Sequence, residues 1–154
     1  MPPTAFINLL LPAAQACHRE HGIPASFTLA QAALESGWGA RAPGNNLFGI
    51  KADRAWKGKT VDVPTHEYVD GQRVNIVDKF RAYATPADCI ADRACFFKVN
   101  KRYASCFAET TGAGWARAVA RAGYATDPKY ADILIKIMDG RTLSQYDVQT
   151  KVPA

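Results

Sequence analysis

Between Thr60 and Tyr83 the chain changes character, and that change limits what it can fold into. Thr60, Val61, Val63, Thr65, Tyr68 and Val69, then Val74, Ile76, Val77, Phe80 and Tyr83, are residues that suit a pleated sheet. Asp70-Gly71 stands between the two runs and is a strong signal for a two-residue hairpin turn. No other segment reads convincingly as strand. Residues 4–21 read as a first helix, capped by Thr4 and ended by Gly22, with Phe6, Ile7, Leu10, Leu11 and Ala14 on its apolar face. Pro12 is expected to kink or restart it. Residues 26–36 read as a second helix, with Ser26 as cap, Phe27, Ala30, Ala33 and Leu34 buried, and Gly37 as stop. Residues 39–59 are rich in Gly, Pro and Asn and read as loop.

After the hairpin, helices return. Thr85-Pro86 opens one that runs to about Lys98, with Cys89, Ile90, Ala94 and Phe97 on its core face. A short element near Tyr103–Phe107 follows, then a helix from about Gly114 to Ala122. Asp127-Pro128 starts the last helix, which turns Tyr130, Ile133, Leu134 and Ile137 inward and stops at Gly140. The tail, 141–154, is expected to carry one short turn and pack loosely. The expected architecture is one domain over residues 1–154, α+β and mostly α, a helical body interrupted by one hairpin.

Composition excludes several classes. The 154 residues suffice for one domain with a real core. No apolar run approaches the roughly 18 residues that span a bilayer; Asn8 and Pro12 break the longest, Ala5–Ala14. The net charge of +5 favours polyanionic partners. The basic residues are scattered among acidic ones, however, with no block that marks a nucleic-acid site. None of the four cysteines is spaced C-x-x-C. Buried free thiols are the default, although a Cys95–Cys106 bridge is geometrically conceivable. Cys17, His18 and His21 cluster on the first helix without a fourth ligand, so no metal or cofactor is expected.

The chemistry centres on Leu34-Glu35-Ser36-Gly37-Trp38-Gly39. Glu35 sits on the last turn of an alanine-rich helix, where the helix dipole disfavours an acid. Apolar neighbours and that dipole both push its carboxyl pKa upward. A proton held near neutral pH is what a general acid needs to protonate a glycosidic oxygen. On position alone, a solvent-facing glutamate at a helix end explains the residue equally well.

The wider pattern tips that balance. Ala30-Gln31-Ala32-Ala33-Leu34-Glu35-Ser36-Gly37-Trp38-Gly39, followed by Asn45-Asn46-Leu47-Phe48-Gly49-Ile50-Lys51, resembles the flagellar-type peptidoglycan glucosaminidases of glycoside hydrolase family 73. Lys79-Phe80-Arg81-Ala82-Tyr83 and Gly123-Tyr124-Ala125-Thr126-Asp127-Pro128-Lys129-Tyr130 look like that family too, in the same order. The resemblance implies a lysozyme-like fold, a helical lobe and a small β-hairpin lobe flanking a glycan groove. It implies cleavage of the β-1,4 bond between N-acetylglucosamine and N-acetylmuramic acid, with Glu35 as acid. Glu67, on the first hairpin strand, matches the family's second acidic residue best, with Asp62 and Asp70 as fallbacks. Its role would be to activate water or support the charged transition state, at about 6.5–9.5 Å for inversion or about 5–5.5 Å for retention. A hairpin that leaves Glu67 too far away points instead to assistance by the substrate's N-acetyl group, with Tyr124 orienting it.

Sugar rings offer apolar faces to aromatic side chains. Trp38, Phe48, Tyr68 and Tyr130, with Asn46 for an acetamido group, are the substrate-binding candidates. Each has a packing alternative, and for Phe48 and Tyr130 the core is the stronger reading. Asn46 is as well suited to bridging loop backbone. Trp56 lies in the basic loop Lys51–Lys59 and suits either the anionic wall or a free rim. The expected partner is the peptidoglycan glycan strand, bound by a monomer without nucleic acid or membrane insertion. Met1–Thr4 carries no Lys or Arg, so no signal peptide is read. Action in the periplasm or wall then requires other export machinery, as for a phage or prophage endolysin or a secreted effector, or an excised domain. A lytic transglycosylase and a non-catalytic wall-binding module are the rival readings.

Overall fold

Helix α2 (Ala25–Ser36) runs through the centre of the molecule, and every residue from Ala25 to Ala33 is buried. A helix without a solvent face belongs in a core, and its alanines let neighbours approach closely. The computed structural model describes residues 1–151 and surrounds α2 with four helices. These are α1 (Pro3–His21), α3 (Pro86–Val99), α4 (Gly112–Arg121) and α5 (Tyr130–Gly140). Helix α1 packs on α2 and α3, and α5 on α2 and α4. Tight 3-10 turns lie at Pro43–Asn45, Lys101–Ala108 and Leu143–Tyr146. Phe97 meets Tyr103 with ring centroids 5.1 Å apart and Phe107 meets Trp115 at 4.9 Å, both edge to face. That geometry suits the ring quadrupoles.

Strands β1 (Thr60–Val69) and β2 (Gln72–Arg81) form the expected hairpin. Asp70 and Gly71 both have positive φ, 51° and 78°, as a mirror-image turn requires. Val61, Val63 and Thr65 are half-buried and stand opposite Phe80, Asp78 and Ile76. Beyond them the hairpin is exposed on both faces. Its root is tied down: Arg81 N donates to Ile50 O and Ala52 N to Lys79 O, each at 3.0 Å. Asp92 of α3 accepts from Arg81 Nη1 at 2.9 Å and Tyr83 Oη at 2.6 Å. Trp56 belongs to this root, its ring against Tyr83 and under the Arg81 guanidinium.

The elements depart from expectation mainly at their ends. Helix α1 starts at Pro3 with no side-chain cap, so Thr4 does not cap it. It continues through Pro12, which is exposed, as is Asn8, whose carbonyl loses its partner on the solvent side. Helix α2 begins before Ser26 and is capped from a distance. Asp147 accepts from Ser26 N and Ser26 Oγ, both at 2.8 Å. The described tail is therefore held rather than loose: Leu143 is fully buried, and Lys151 N donates to Arg19 O at 2.8 Å. Residues 152–154 lie outside the described residues. Helix α5 begins at Tyr130 because Asp127 Oδ1 accepts from Lys129 N at 2.8 Å and makes a turn there first.

All four cysteines are free, and Cys95, unlike the other three, is exposed. Among the described residues no group of three or more His, Cys, Asp or Glu side chains is arranged to hold a metal ion. Cys17 is buried, His18 Nδ1 accepts from Ala25 N, and His21 faces Lys98. No described helix is long and apolar enough to cross a membrane.

Candidate active site

Glu35 emerges where α2 leaves the core. The helix stops one residue later because Gly37 takes the left-handed conformation (φ 58°) and its N–H bonds Ala33 O. A Cβ on Gly37 would meet only the movable end of the exposed Arg41 side chain, so it is the left-handed φ that calls for glycine here. The half-buried Glu35 then lines a cleft of about 510 Å³. One wall is the loop Phe48–Lys51. Phe96, Arg102 and Tyr103 come from the helical side, Tyr124 and Ala125 from the segment before α5, and Asp53 and Arg81 from the hairpin root.

Behind Glu35 stands Tyr130, whose hydroxyl donates to Glu35 Oε1 at 2.7 Å. Gln31, one turn before Glu35 on the same helix face, donates from Nε2 to Tyr130 Oη at 3.0 Å. Tyr124 stacks on Tyr130, and its hydroxyl donates to Phe48 O at 3.4 Å. Burial raises the Glu35 carboxyl above the ordinary carboxylate range, while the Tyr130 hydrogen bond pulls the other way. Burial and the adjacent Glu35 charge hold both tyrosines well above their usual range, so they remain hydroxyl donors. A carboxyl whose pKa is raised in an open cleft holds a proton more readily, and it is placed to pass that proton to a bound leaving group.

The residues singled out in the sequence divide. Glu35, Phe48, Tyr124 and Tyr130 come together. Phe48 borders the cleft but is otherwise core, with the Arg93 guanidinium 4.5 Å from its ring centroid. Tyr130 is buried behind the carboxylate and touches Glu35 rather than the open cleft. Trp38 lies elsewhere, edge-on to Phe6 at 5.7 Å and beneath the Arg141 guanidinium, a packing role. Asn46 is buried and its polar atoms are occupied. Nδ2 donates to Ile50 O and Arg81 O, both at 2.9 Å, and Oδ1 accepts from Ile50 N and Phe48 N. It shapes the cleft wall and has no group left for an acetamide.

Glu67 and Tyr68 lie near the exposed hairpin tip, outside the cleft lining. Glu67 nevertheless shares a strand face with Val63, which borders a second recess beside Glu35. Glu67 lies four residues further out, roughly 13 Å along the strand. Of the fallbacks, Asp62 is paired with Lys79 at 2.9 Å and Asp70 makes the turn. Sequence reasoning missed Gln31, Asp92 and Arg93. The signal for Arg93 is its spacing of four from both Cys89 and Phe97, which puts a cation on an apolar helix face.

A helical body with a hairpin lobe, and a cleft between them holding one half-buried glutamate, defines a lysozyme-like glycoside hydrolase. A family model described as mannosyl-glycoprotein endo-beta-N-acetylglucosaminidase matches residues 11–143, and the chain belongs to this glucosaminidase family. The peptidoglycan hydrolase FlgJ of Vibrio parahaemolyticus is 39% identical over 142 residues, covering 88% of this chain and 46% of that protein. The exo-glucosaminidase LytG of Bacillus subtilis is 37% identical over 150 residues, covering 92% of this chain and 52% of that protein. The chain thus spans about half the length of these relatives. Among solved structures, a peptidoglycan hydrolase mutant from Sphingomonas sp. A1 superposes with a TM-score of 0.79 at 42% identity, covering 92% of this chain and 96% of that one.

Proposed function

We propose that the chain is a peptidoglycan hydrolase acting at the cell wall, an endo-β-N-acetylglucosaminidase that cuts between N-acetylglucosamine and N-acetylmuramic acid. The observation that carries this reading is Glu35 in the cleft, half-buried and hydrogen-bonded by Tyr130. Glu35 protonates the glycosidic oxygen as the bond to the departing sugar lengthens. The positive charge that develops on the retained N-acetylglucosamine ring is met from the opposite side, and water adds to its anomeric carbon with loss of a proton, leaving a reducing N-acetylglucosamine end. Glu67 serves there once the hairpin bends toward its root over bound glycan; its strand face supports that role. The tip's exposure on both faces leaves little packing to oppose such bending.

The test is digestion of purified peptidoglycan by the wild type and Glu35→Gln, with mass spectrometry of borohydride-reduced products. Fragments ending in reduced N-acetylglucosamine, absent with the variant, are expected. Anhydro-muramic ends would reassign the chain to lytic transglycosylase chemistry. Wall binding without fragments from either protein would make it a binding module. Long fragments early in the digest distinguish internal cleavage from release of terminal sugars.

A further inference from the structure

Arg93 is fully buried, yet no carboxylate pairs with it among the described residues. Its guanidinium lies among the rings of Phe27, Phe48 and Phe97, at 5.3, 4.5 and 5.2 Å. Nη2 donates to Thr28 Oγ1, Nη1 donates to Gln31 Oε1 at 2.7 Å, and Nε has no partner among the described residues. Burying a guanidinium without a counter-charge is costly, so its presence here asks for a reason beyond packing.

The reason lies in the direction of the hydrogen bonds. An arginine only donates, so it fixes which end of the Gln31 amide faces it. Oε1 must point to Arg93, and Nε2 must therefore point to Tyr130 Oη. A hydroxyl that accepts from Nε2 has its own proton free for Glu35 Oε1. We infer that Arg93 is a positioning residue, whose buried guanidinium acts through Gln31 to commit the Tyr130 hydroxyl proton to Glu35. Glu35 Oε1 is then occupied, and Oε2 is left to carry the proton that reaches the substrate. Without Arg93 the Gln31 amide is free to turn over and accept from Tyr130, and Glu35 loses its donor.

The inference rests on Glu35 as the acid, but its test does not. The Glu35 carboxyl carbon is followed by NMR as a function of pH in the wild type, Arg93→Met, Arg93→Lys and Tyr130→Phe, alongside the alkaline limb of the activity profile. A hydrogen bond to the charged form lowers a carboxyl pKa, and its loss raises it. Arg93→Met is expected to move the Glu35 midpoint and the alkaline limb upward by about one pH unit. Arg93→Lys, which keeps a donor toward Gln31, restores most of that shift. In a Tyr130→Phe background Arg93→Met moves neither, because the relay is already cut.

Lower activity with an unmoved midpoint, or a shift that persists without the Tyr130 hydroxyl, would overturn the relay and leave Arg93 a packing residue. The other charged groups around Glu35 are the same in every Arg93 and Tyr130 variant, Lys51, Asp53, Arg81 and Arg102 in the cleft and Arg41 in the recess beside it. So are the Tyr103 and Tyr124 hydroxyls and the Cys17 and Cys89 thiols that face Arg93. Should Arg93→Met fail to fold, Gln31→Glu keeps a partner for Arg93 but offers Tyr130 no donor. Its upward shift must shrink with Tyr130→Phe, leaving only what the added carboxylate exerts through space; an equal shift in both backgrounds overturns the relay. If the midpoint moves as expected while Glu35→Gln remains active, the relay stands and the catalytic reading of Glu35 falls.

Discussion

Tyr124 and Tyr130 stack with ring centroids 5.8 Å apart and planes 18° from parallel, one lining the cleft and the other holding its carboxylate. The stack couples wall to acid. Among the described residues the Tyr124 hydroxyl has only a long bond, 3.4 Å to Phe48 O, to give up before it can meet a substrate acetamide. Tyr124→Phe keeps the stack and removes the hydroxyl. If that hydroxyl orients the N-acetyl group, kcat falls roughly 10- to 100-fold, the worth of one hydrogen bond to a charged transition state. Thermal melting should be nearly unchanged. Unaltered kinetics on purified glycan strands would remove Tyr124 from the chemistry.

Glu67 is exposed near the hairpin tip, so Glu67→Gln should leave Tm within about 1–2 °C of the wild type. A second carboxyl acting as base or as charge stabiliser contributes on the order of 10²–10⁴ in rate. Steady-state turbidity clearance with the variant measures this directly. Loss on that scale supports hairpin closure over bound glycan. Full activity would shift the burden to the substrate's own N-acetyl group.

How much of this was legible in the sequence follows the range of the forces involved. The hairpin was readable because Asp70-Gly71 and its flanking β-formers act over neighbouring residues. The chemistry of Glu35 was readable for the same reason: helix end, apolar neighbours and glycine stop all lie within a few positions. The packing of Trp38 was not, because it depends on Phe6 and Arg141, more than thirty residues away on either side. Asn46 could equally serve backbone or ligand until the fold brought the Ile50 and Arg81 carbonyls to it. The sequence places the α2 cap at Ser26, but the acceptor comes from Asp147, across nearly the whole chain. Local signals named the element and its chemistry, and long-range partners decided which groups remained free.

That distant cap is itself testable. Asp147 satisfies two donors at the N-terminus of the helix that carries Glu35, and His18 Nδ1 accepts from Ala25 N at 3.2 Å and Val148 N at 3.1 Å beside it. Asp147→Ala should cost about 0.5–2 kcal/mol, the range for a lost cap, and lower Tm by several degrees. His18 must be unprotonated at Nδ1 to accept those bonds, and burial lowers its pKa despite the opposing pull of Asp147. The folded state thus binds fewer protons than the unfolded one. Stability from this contact is present above about pH 6.5 and is lost as pH falls through the folded value. His18→Asn supplies a non-titrating acceptor, and melting curves between pH 7.5 and 5 should show a flatter acid side. An unchanged slope would locate the acid sensitivity elsewhere.

Glu35 makes the opposite prediction. Its folded pKa is raised, chiefly by burial, so the folded state binds its proton more tightly than the unfolded chain does. The stability it allows is complete below the unfolded value near 4.3 and declines as pH rises through the folded one. Above that point the protein carries a half-buried carboxylate whose cost the Tyr130 hydrogen bond offsets in part. Glu35→Gln carries no charge at any pH and can still accept from Tyr130. The variant should therefore melt roughly 1–3 °C higher than the wild type at pH 8, and the gap should close toward pH 4. Calorimetry across that range decides it. A gap that stays constant with pH would mean that the carboxylate is well solvated in the free enzyme, and that whatever raises its pKa for catalysis arrives with the substrate.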